Sequence, residues 1–285
     1  MKRILVPTNF TKIARRGLDA AVRIAKKHQA EIYLVHFFPS STDSFTVTGD
    51  TSLHQGGMTE ADRYKAEMIR SSNRRMNEMI DSYADEGIKI VSLLNENGFR
   101  AGIEHICKNY DIDMIVMGSS AERTFVEKFK GNHAERAVEY GHCPVLIVKE
   151  NLPDKKFQRI MLTYDLNNHD REVIMKAKDF ADSFGMEIYL IHIYDDPDKS
   201  EKEMEEKLQR FAHDHDLNNC RIVSYYHKDT AKGIALAAKE LKVDTIVLLS
   251  NHHNYLSRFF LSTTTEEVLE DASQYIMAVP NVIHQ

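Results

Sequence analysis

Between Asp113 and Val148 the chain reads DMIVMGSSAERTFVEKFKGNHAERAVEYGHCPVLIV, and Gly118, Ala121, Gly131 and Asn132 stand out within it. Met114 to Met117 is a short apolar run stopped by Gly118, which fits a buried strand of a parallel sheet. A mostly polar stretch follows to Gly131. Asn132 can then cap a helix to about Tyr140, with Ala134, Ala137 and Val138 on one face. Cys143-Pro144 breaks that helix, and Val145 to Val148 reads as the next strand. Backbone N–H groups at a helix start lack intrahelical partners, and the helix dipole favours an anion there. A strand, a glycine-bounded loop and a helix start therefore make a cradle for phosphate. Turn geometry alone is the competing account of the two glycines.

The elements that must position this loop are legible from the start of the chain. Arg3 to Val6 is a buried strand ended by Pro7, and Thr8 to Thr11 is a turn offering several helix caps. A helix to about His28 places Ile13, Leu18, Ala21, Val22 and Ala25 on one face. Glu31 to Phe37 is the second strand, and residues 38–58 read as a polar loop. A long charged helix is predicted from about Thr59 to Asp85, then a third strand from Ile88 to Leu94. The next helix carries Ile103, Ile106 and Cys107. Strands alternating with helices mean a parallel, doubly wound α/β sheet with right-handed crossovers. Ligands of such sheets lie outside the carboxyl ends of the strands, where strand order reverses.

The chain then repeats. Arg3-Ile4-Leu5 returns as Arg159-Ile160-Met161, and Glu31-Ile32-Tyr33-Leu34-Val35-His36 as Glu187-Ile188-Tyr189-Leu190-Ile191-His192. Later, at a shorter offset, Gly102-Ile103 matches Gly233-Ile234, and Asp113 matches Asp244. The residues missing from the second copy lie where the first carries its long loop and extended helix. Two copies of one unit, 1–150 and 157–285, are thus joined by a polar linker containing Pro153.

The spacing Gly118, two residues, Ala121, nine residues, Gly131-Asn132 resembles the nucleotide loop of the universal stress protein family. That loop reads Gly, two residues, Gly, nine residues, Gly, then Ser or Thr. The following AERAV and CPVLIV also resemble the family. This chain departs from it with Ala121, Asn132, a Glu122 where a basic residue is common, and Asn9 where Asp is usual. The resemblance implies two doubly wound, five-stranded parallel-sheet domains of the adenine nucleotide alpha hydrolase type, with strand order 3-2-1-4-5. It implies ATP or AMP, with or without Mg, held by Pro7, Thr8, Asn9, Met117, Gly118, Ser119, Ala121, Gly131 and Asn132 of the first copy. It further implies a stress-response role with slow or absent hydrolysis. The fifth strands, Val145 to Val148 and Ile276 to Val279, would pair within one molecule as a pseudo-dimer, and a homodimer is a further option.

The second copy has lost the loop. Leu249, His252, Ser262 and Thr263 stand where the first has Gly118, Ala121, Gly131 and Asn132, although Asp165 restores the acid at Asn9. Larger side chains hinder close approach of backbone to phosphate. A nucleotide-independent interaction module, with both sites degenerate, is the alternative reading.

Composition narrows the remaining classes. Net charge is -6 with no long Lys/Arg block, so nucleic acid is not an expected partner. Three widely spaced cysteines suit a reducing compartment. No secretory h-region and no run of about 18 apolar residues is present, which points to a cytoplasmic protein without a membrane span. His213-Asp214-His215-Asp216 reads as a solvated helix end rather than a metal site, with His252-His253 as the better metal candidate. His36 and His192 read as satisfied strand-end histidines, and Cys143 as packing. No Walker lysine, zincin or nucleophile-elbow motif occurs, so no catalytic residue is assigned, and any enzyme activity would be at most the slow ATP hydrolysis that the resemblance allows.

Overall fold

A computed structural model of the chain describes residues 1–38, 60–119, 133–149, 157–163, 171–196, 201–217, 219–250 and 275–280. The first copy runs β1 (Arg3–Pro7), α1 (Lys12–His28), β2 (Glu31–Phe37), α2 (Glu60–Asp81), β3 (Ile90–Asn95), α3 (Gly98–Asn109), β4 (Met114–Ser119), α4 (His133–Gly141) and β5 (Val145–Lys149). The second runs β6 (Arg159–Thr163), α5 (Arg171–Phe184), β7 (Glu187–Tyr194), α6 (Glu201–Asp214), β8 (Arg221–Tyr226), α7 (Thr230–Glu240), β9 (Thr245–Ser250) and β10 (Tyr275–Pro280). Within each half, apolar strands covered on both faces alternate with amphipathic helices, which is the pattern of a parallel α/β layer.

Two boundaries differ from the sequence reading. The long helix stops at Asp81, a short 3-10 turn spans Ala84–Glu86, and Gly87 turns the chain at φ 67. The third strand therefore starts at Ile90 rather than Ile88. A residue with positive φ cannot continue a helix, and glycine adopts it without a Cβ clash.

The sheet order is β3-β2-β1-β4-β5-β10-β9-β6-β7-β8. Each half keeps the order 3-2-1-4-5 with parallel neighbours. The fifth strands meet edge to edge. β5 and β10 pair antiparallel, Ile276 opposite Ile147 and Ala278 opposite Val145, so one continuous ten-stranded sheet results. Both strands are wholly apolar over the paired residues and leave no water-accessible edge there.

Strand alternation sends Ile4 and Val6 to one face, against Leu18 and Val22 of α1 and Met76 of α2. Leu5 goes to the other, against Ile103 and Ile106 of α3 and Val138 of α4. The halves also meet through aromatic packing. The His28 ring of α1 lies 5.8 Å, edge-on, from Phe184 of α5, which itself packs 4.7 Å from Phe157. Arg23 of α1 donates to the Tyr275 hydroxyl at 2.7 Å, across the seam.

One clamp occurs in both halves. The Asp113 carboxylate accepts from the backbone N–H groups of Lys2 (2.5 Å) and Arg3 (2.9 Å), fixing the start of β1 beside β4. Asp244 does the same for Gln158 and Arg159 at 2.9 and 2.8 Å. The Arg3 guanidinium donates to the Tyr110 carbonyl and that of Arg159 to the Leu241 carbonyl, each at 3.0 Å. This network explains Asp113, Asp244, Arg3 and Arg159 without any ligand. Asp113→Ala is expected to destabilise the chain by about 1–3 kcal/mol, because two charge-assisted hydrogen bonds are lost. Asp244→Ala should do the same. Urea unfolding of both variants checks this, and a loss below ~0.5 kcal/mol for both would refute the clamp.

Candidate functional site

Strand order reverses between β1 and β4, so the carboxyl ends of these two strands form the crevice. Pro7, Thr8 and Asn9 line one side, and Met117, Gly118 and Ser119 the other. Ala121, Gly131 and Asn132 lie outside the described residues, as do Glu122, Asp165 and the His252-His253 pair. Six of the nine expected site residues can therefore be placed, at or just past the carboxyl ends of β1 and β4.

The β1 side is built from side-chain turns. Thr8 is buried, its hydroxyl accepts from the Phe10 N–H at 3.1 Å, and its carbonyl faces Nδ1 of His36 at 2.8 Å. A carbonyl can only accept, so Nδ1 carries a proton. The strand-end histidine is satisfied in this way. Asn9 is exposed, and its Oδ1 accepts from both the N–H and the hydroxyl of Thr11, at 3.2 and 2.6 Å. Thr11 in turn caps α1 by accepting from the Ala14 N–H at 3.2 Å. The oxygen of Asn9 is thereby committed to the turn, and the amide N–H groups are what the residue has left to offer. Phe10 sits in the left-handed region at φ 64, a conformation that costs a non-glycine residue roughly 1–2 kcal/mol. Its ring lies 4.5 Å from that of His36, and the Arg75 guanidinium of α2 sits 4.2 Å above it. Sequence reading did not single out Phe10 or Arg75. No spacing rule joins position 10 to position 75; only the crossing of α2 over β1 does.

The β4 side is shaped by backbone contact. A Cβ at Gly118 would lie 1.9 Å from the Ile13 carbonyl oxygen of α1, and a Cβ at Gly17 would lie 2.7 Å from the Gly118 nitrogen. Helix α1 thus rests on β4 backbone to backbone, and both glycines are required by that approach. This is a different reason for Gly118 than either phosphate access or a turn. Val173 and Leu249 hold the corresponding positions in the second copy, so both small residues are replaced together. In keeping with this, α5 does not approach β9 as α1 approaches β4.

Two titratable groups complete the region, and a third, Cys143, lies at the opposite, amino end of β5. Lys149 ends β5 in register with Ser119, is 9% exposed, and burial pushes its pKa down to about 8. It was not singled out from sequence; a lysine closing an apolar strand is its only cue. His133 begins α4 with its ring stacked on Phe99 at 4.1 Å and 6°. Desolvation, and then Arg136, lower its pKa, which favours the neutral ring. Cys143 is buried, and the hydrogen bond to Cys107, followed by burial, raises its thiol well above the ordinary value. A protonated buried thiol is a poor nucleophile, in line with a packing role.

Among the described residues no group of three His, Cys, Asp or Glu side chains comes together to hold a metal. His213 and Asp214 are exposed, but His215 is buried rather than solvated. Its Nδ1 lies 2.9 Å from the Phe211 carbonyl and its ring stacks on Phe211 at 4.1 Å, which satisfies it in place. Among the described residues no helix is long and apolar enough to cross a membrane.

The Universal stress protein family model matches residues 1–149 and again residues 156–280. A universal stress protein of Methanocaldococcus jannaschii is 26% identical over 150 residues, 52% of this chain and 82% of that protein. One from Bacillus subtilis is 22% identical over 147 residues, 52% of this chain and 98% of that protein. These relatives thus correspond to one half of the chain. Among solved structures, a universal stress protein from Archaeoglobus fulgidus superposes with a TM-score of 0.69 at 18% identity, covering 99% of this chain and 97% of that one. The cytoplasmic domain of a prokaryotic cation chloride cotransporter superposes at 0.56 and 9% identity, covering 98% and 95%. At these identities the structural likeness is one of fold.

Proposed function

The chain belongs to the universal stress protein family, matched twice, and on that premise we propose that it is a stress-response regulatory protein binding an adenine nucleotide in its first half. ATP or AMP, with or without Mg, would lie with its phosphates against Gly118, Ser119, Ala121, Gly131 and Asn132, and its base and ribose near Thr8 and Asn9. The observation that supports this reading is the pairing of β1 with β4 where strand order reverses, with Pro7-Thr8-Asn9 and Met117-Gly118-Ser119 following the paired residues at the carboxyl ends. Helix α4 starts at His133, one residue past the Gly131-Asn132 pair, so its unpaired N–H groups are available to phosphate. Residues 1–150 and 157–285 would form two domains, held as an intramolecular pseudo-dimer by β5 and β10 and acting in the cytoplasm; a homodimer of the whole chain is compatible with this. No catalytic base and nucleophile are assigned.

Calorimetry with ATP, ADP and AMP up to millimolar concentration tests the proposal. The unmodified chain should bind one of them, and Gly131→Leu should abolish binding by filling the phosphate space. Ala121→Gly should preserve or strengthen it, and Ser262→Leu should leave it unchanged. Absence of heat with all three nucleotides would rule the reading out. A second reading, an interaction module independent of nucleotide, is favoured by one observation: packing on Ile13 accounts for Gly118 with no ligand.

A further inference from the structure

The first copy differs from its family at the β1 lip in a consistent direction. The acid usual after β1 is Asn9, and the oxygen of Asn9 is occupied by Thr11, so the residue offers only N–H donors. Beside it, Phe10 is held at φ 64 by the Thr8 hydroxyl, and its ring is flanked by His36 and by Arg75. The ring holds the guanidinium at the crevice by a cation–π contact. Arg75 is exposed, and no hydrogen bond or ion pair joins it to another described residue, so among these its five donors face none. It comes from α2, which is 22 residues long where α6 is 14, within the segment that distinguishes the first copy from the second. A lip that elsewhere accepts hydrogen bonds here donates them and carries positive charge.

We infer that Arg75, with the amide of Asn9, binds a second anionic group carried on the ribose of the ligand: the nucleotide class is an adenosine with a 2′- or 3′-phosphate in addition to its 5′-phosphate. This rests on the nucleotide reading above, in which base and ribose lie at Thr8 and Asn9 and the 5′-phosphates lie across the crevice. In that pose the ribose lies beside the residue before Phe10, over whose ring the Arg75 guanidinium sits. A planar guanidinium meets a phosphate through paired hydrogen bonds, which a lysine ammonium reproduces only in part.

The test is calorimetry of the full chain with adenosine 5′-monophosphate, adenosine 2′,5′-bisphosphate and adenosine 3′,5′-bisphosphate. Arg75→Met keeps the apolar stem on Phe10 and removes the charge; Arg75→Lys keeps the charge. One bisphosphate is expected to bind about tenfold tighter than the monophosphate, and the advantage should shrink as salt rises. Arg75→Met should erase that advantage and leave monophosphate affinity unchanged, while Arg75→Lys should retain part of it. If monophosphate binds and the advantage is absent, or survives Arg75→Met, the inference is overturned and the parent reading stands. If Arg75→Met weakens the monophosphate equally, Arg75 reads the 5′-phosphate and the inference is overturned too. If none of the three binds, the inference is overturned, and the parent reading falls with it only where ATP and ADP also give no heat.

Discussion

Gly118→Ala is expected to cost about 3 kcal/mol or more of stability with no ligand present, at the upper end of overpacking penalties or beyond. The added Cβ would sit 1.9 Å from the Ile13 carbonyl oxygen, where the obstacle is helix backbone rather than the end of a flexible side chain. Relief requires α1 to lift from β4, which opens the packing of Leu18 and Val22 beneath it. Gly17→Ala pushes on the same contact from the helix side, with its Cβ 2.7 Å from the Gly118 nitrogen, and should behave alike. Ser119→Ala is the control, one residue further along β4, and should stay within about 0.5 kcal/mol of the parent. Urea unfolding of the three variants decides the matter. A Gly118→Ala protein as stable as its parent would refute the backbone contact and return Gly118 to a ligand role.

Lys149→Met is expected to stabilise the chain at pH 7, by up to about 3 kcal/mol, the free energy that corresponds to depressing a lysine from 10.5 to about 8. The direction in pH follows from proton counting. Between pH 8 and 10.5 the unfolded lysine holds its proton and the folded one does not, so stability of the parent rises through that window. Below pH 8 both states are protonated and the penalty of burying the charge is present in full. The advantage of the methionine variant should therefore be constant below pH 8 and vanish toward pH 10.5. Tyrosines whose pKa is raised by burial, such as Tyr189, lower stability at the top of this range in both proteins, so the difference between the two isolates Lys149. Unfolding curves at several pH values check it. A difference that does not close with pH would show that Lys149 is not buried in charged form.

Much of the fold was legible because both relevant periods are local. The runs RILV, EIYLVHF and MIVM give strands directly, and the repeat of EIYLVHF as EIYLIHI reveals the second half before any coordinate is known. The 3-2-1-4-5 order was not read from periodicity; it came with the resemblance. The site divides the same way. Thr8, Asn9 and Gly118 could be assigned to strand ends, but the reason for Gly118 could not, because Ile13 lies more than a hundred residues away in sequence. Arg75 reads as one more charge on a polar helix until α2 is laid across Phe10. His215 reads as solvent-facing in an HDHD run, yet a helix turn carries it inward onto Phe211. Single-residue context fails where two elements meet at backbone distance.

The antiparallel join of β5 to β10 has a directional consequence. All strands of one half point opposite to those of the other, so the two crevices open on opposite margins of the sheet. A macromolecule docked over one mouth leaves the other uncovered, and both can be occupied at once without collision. Any influence of one upon the other has to cross the β5–β10 join or the contact of α1 with the second half. The second crevice is thus free to change its chemistry, as Leu249 illustrates, without disturbing what the first one meets.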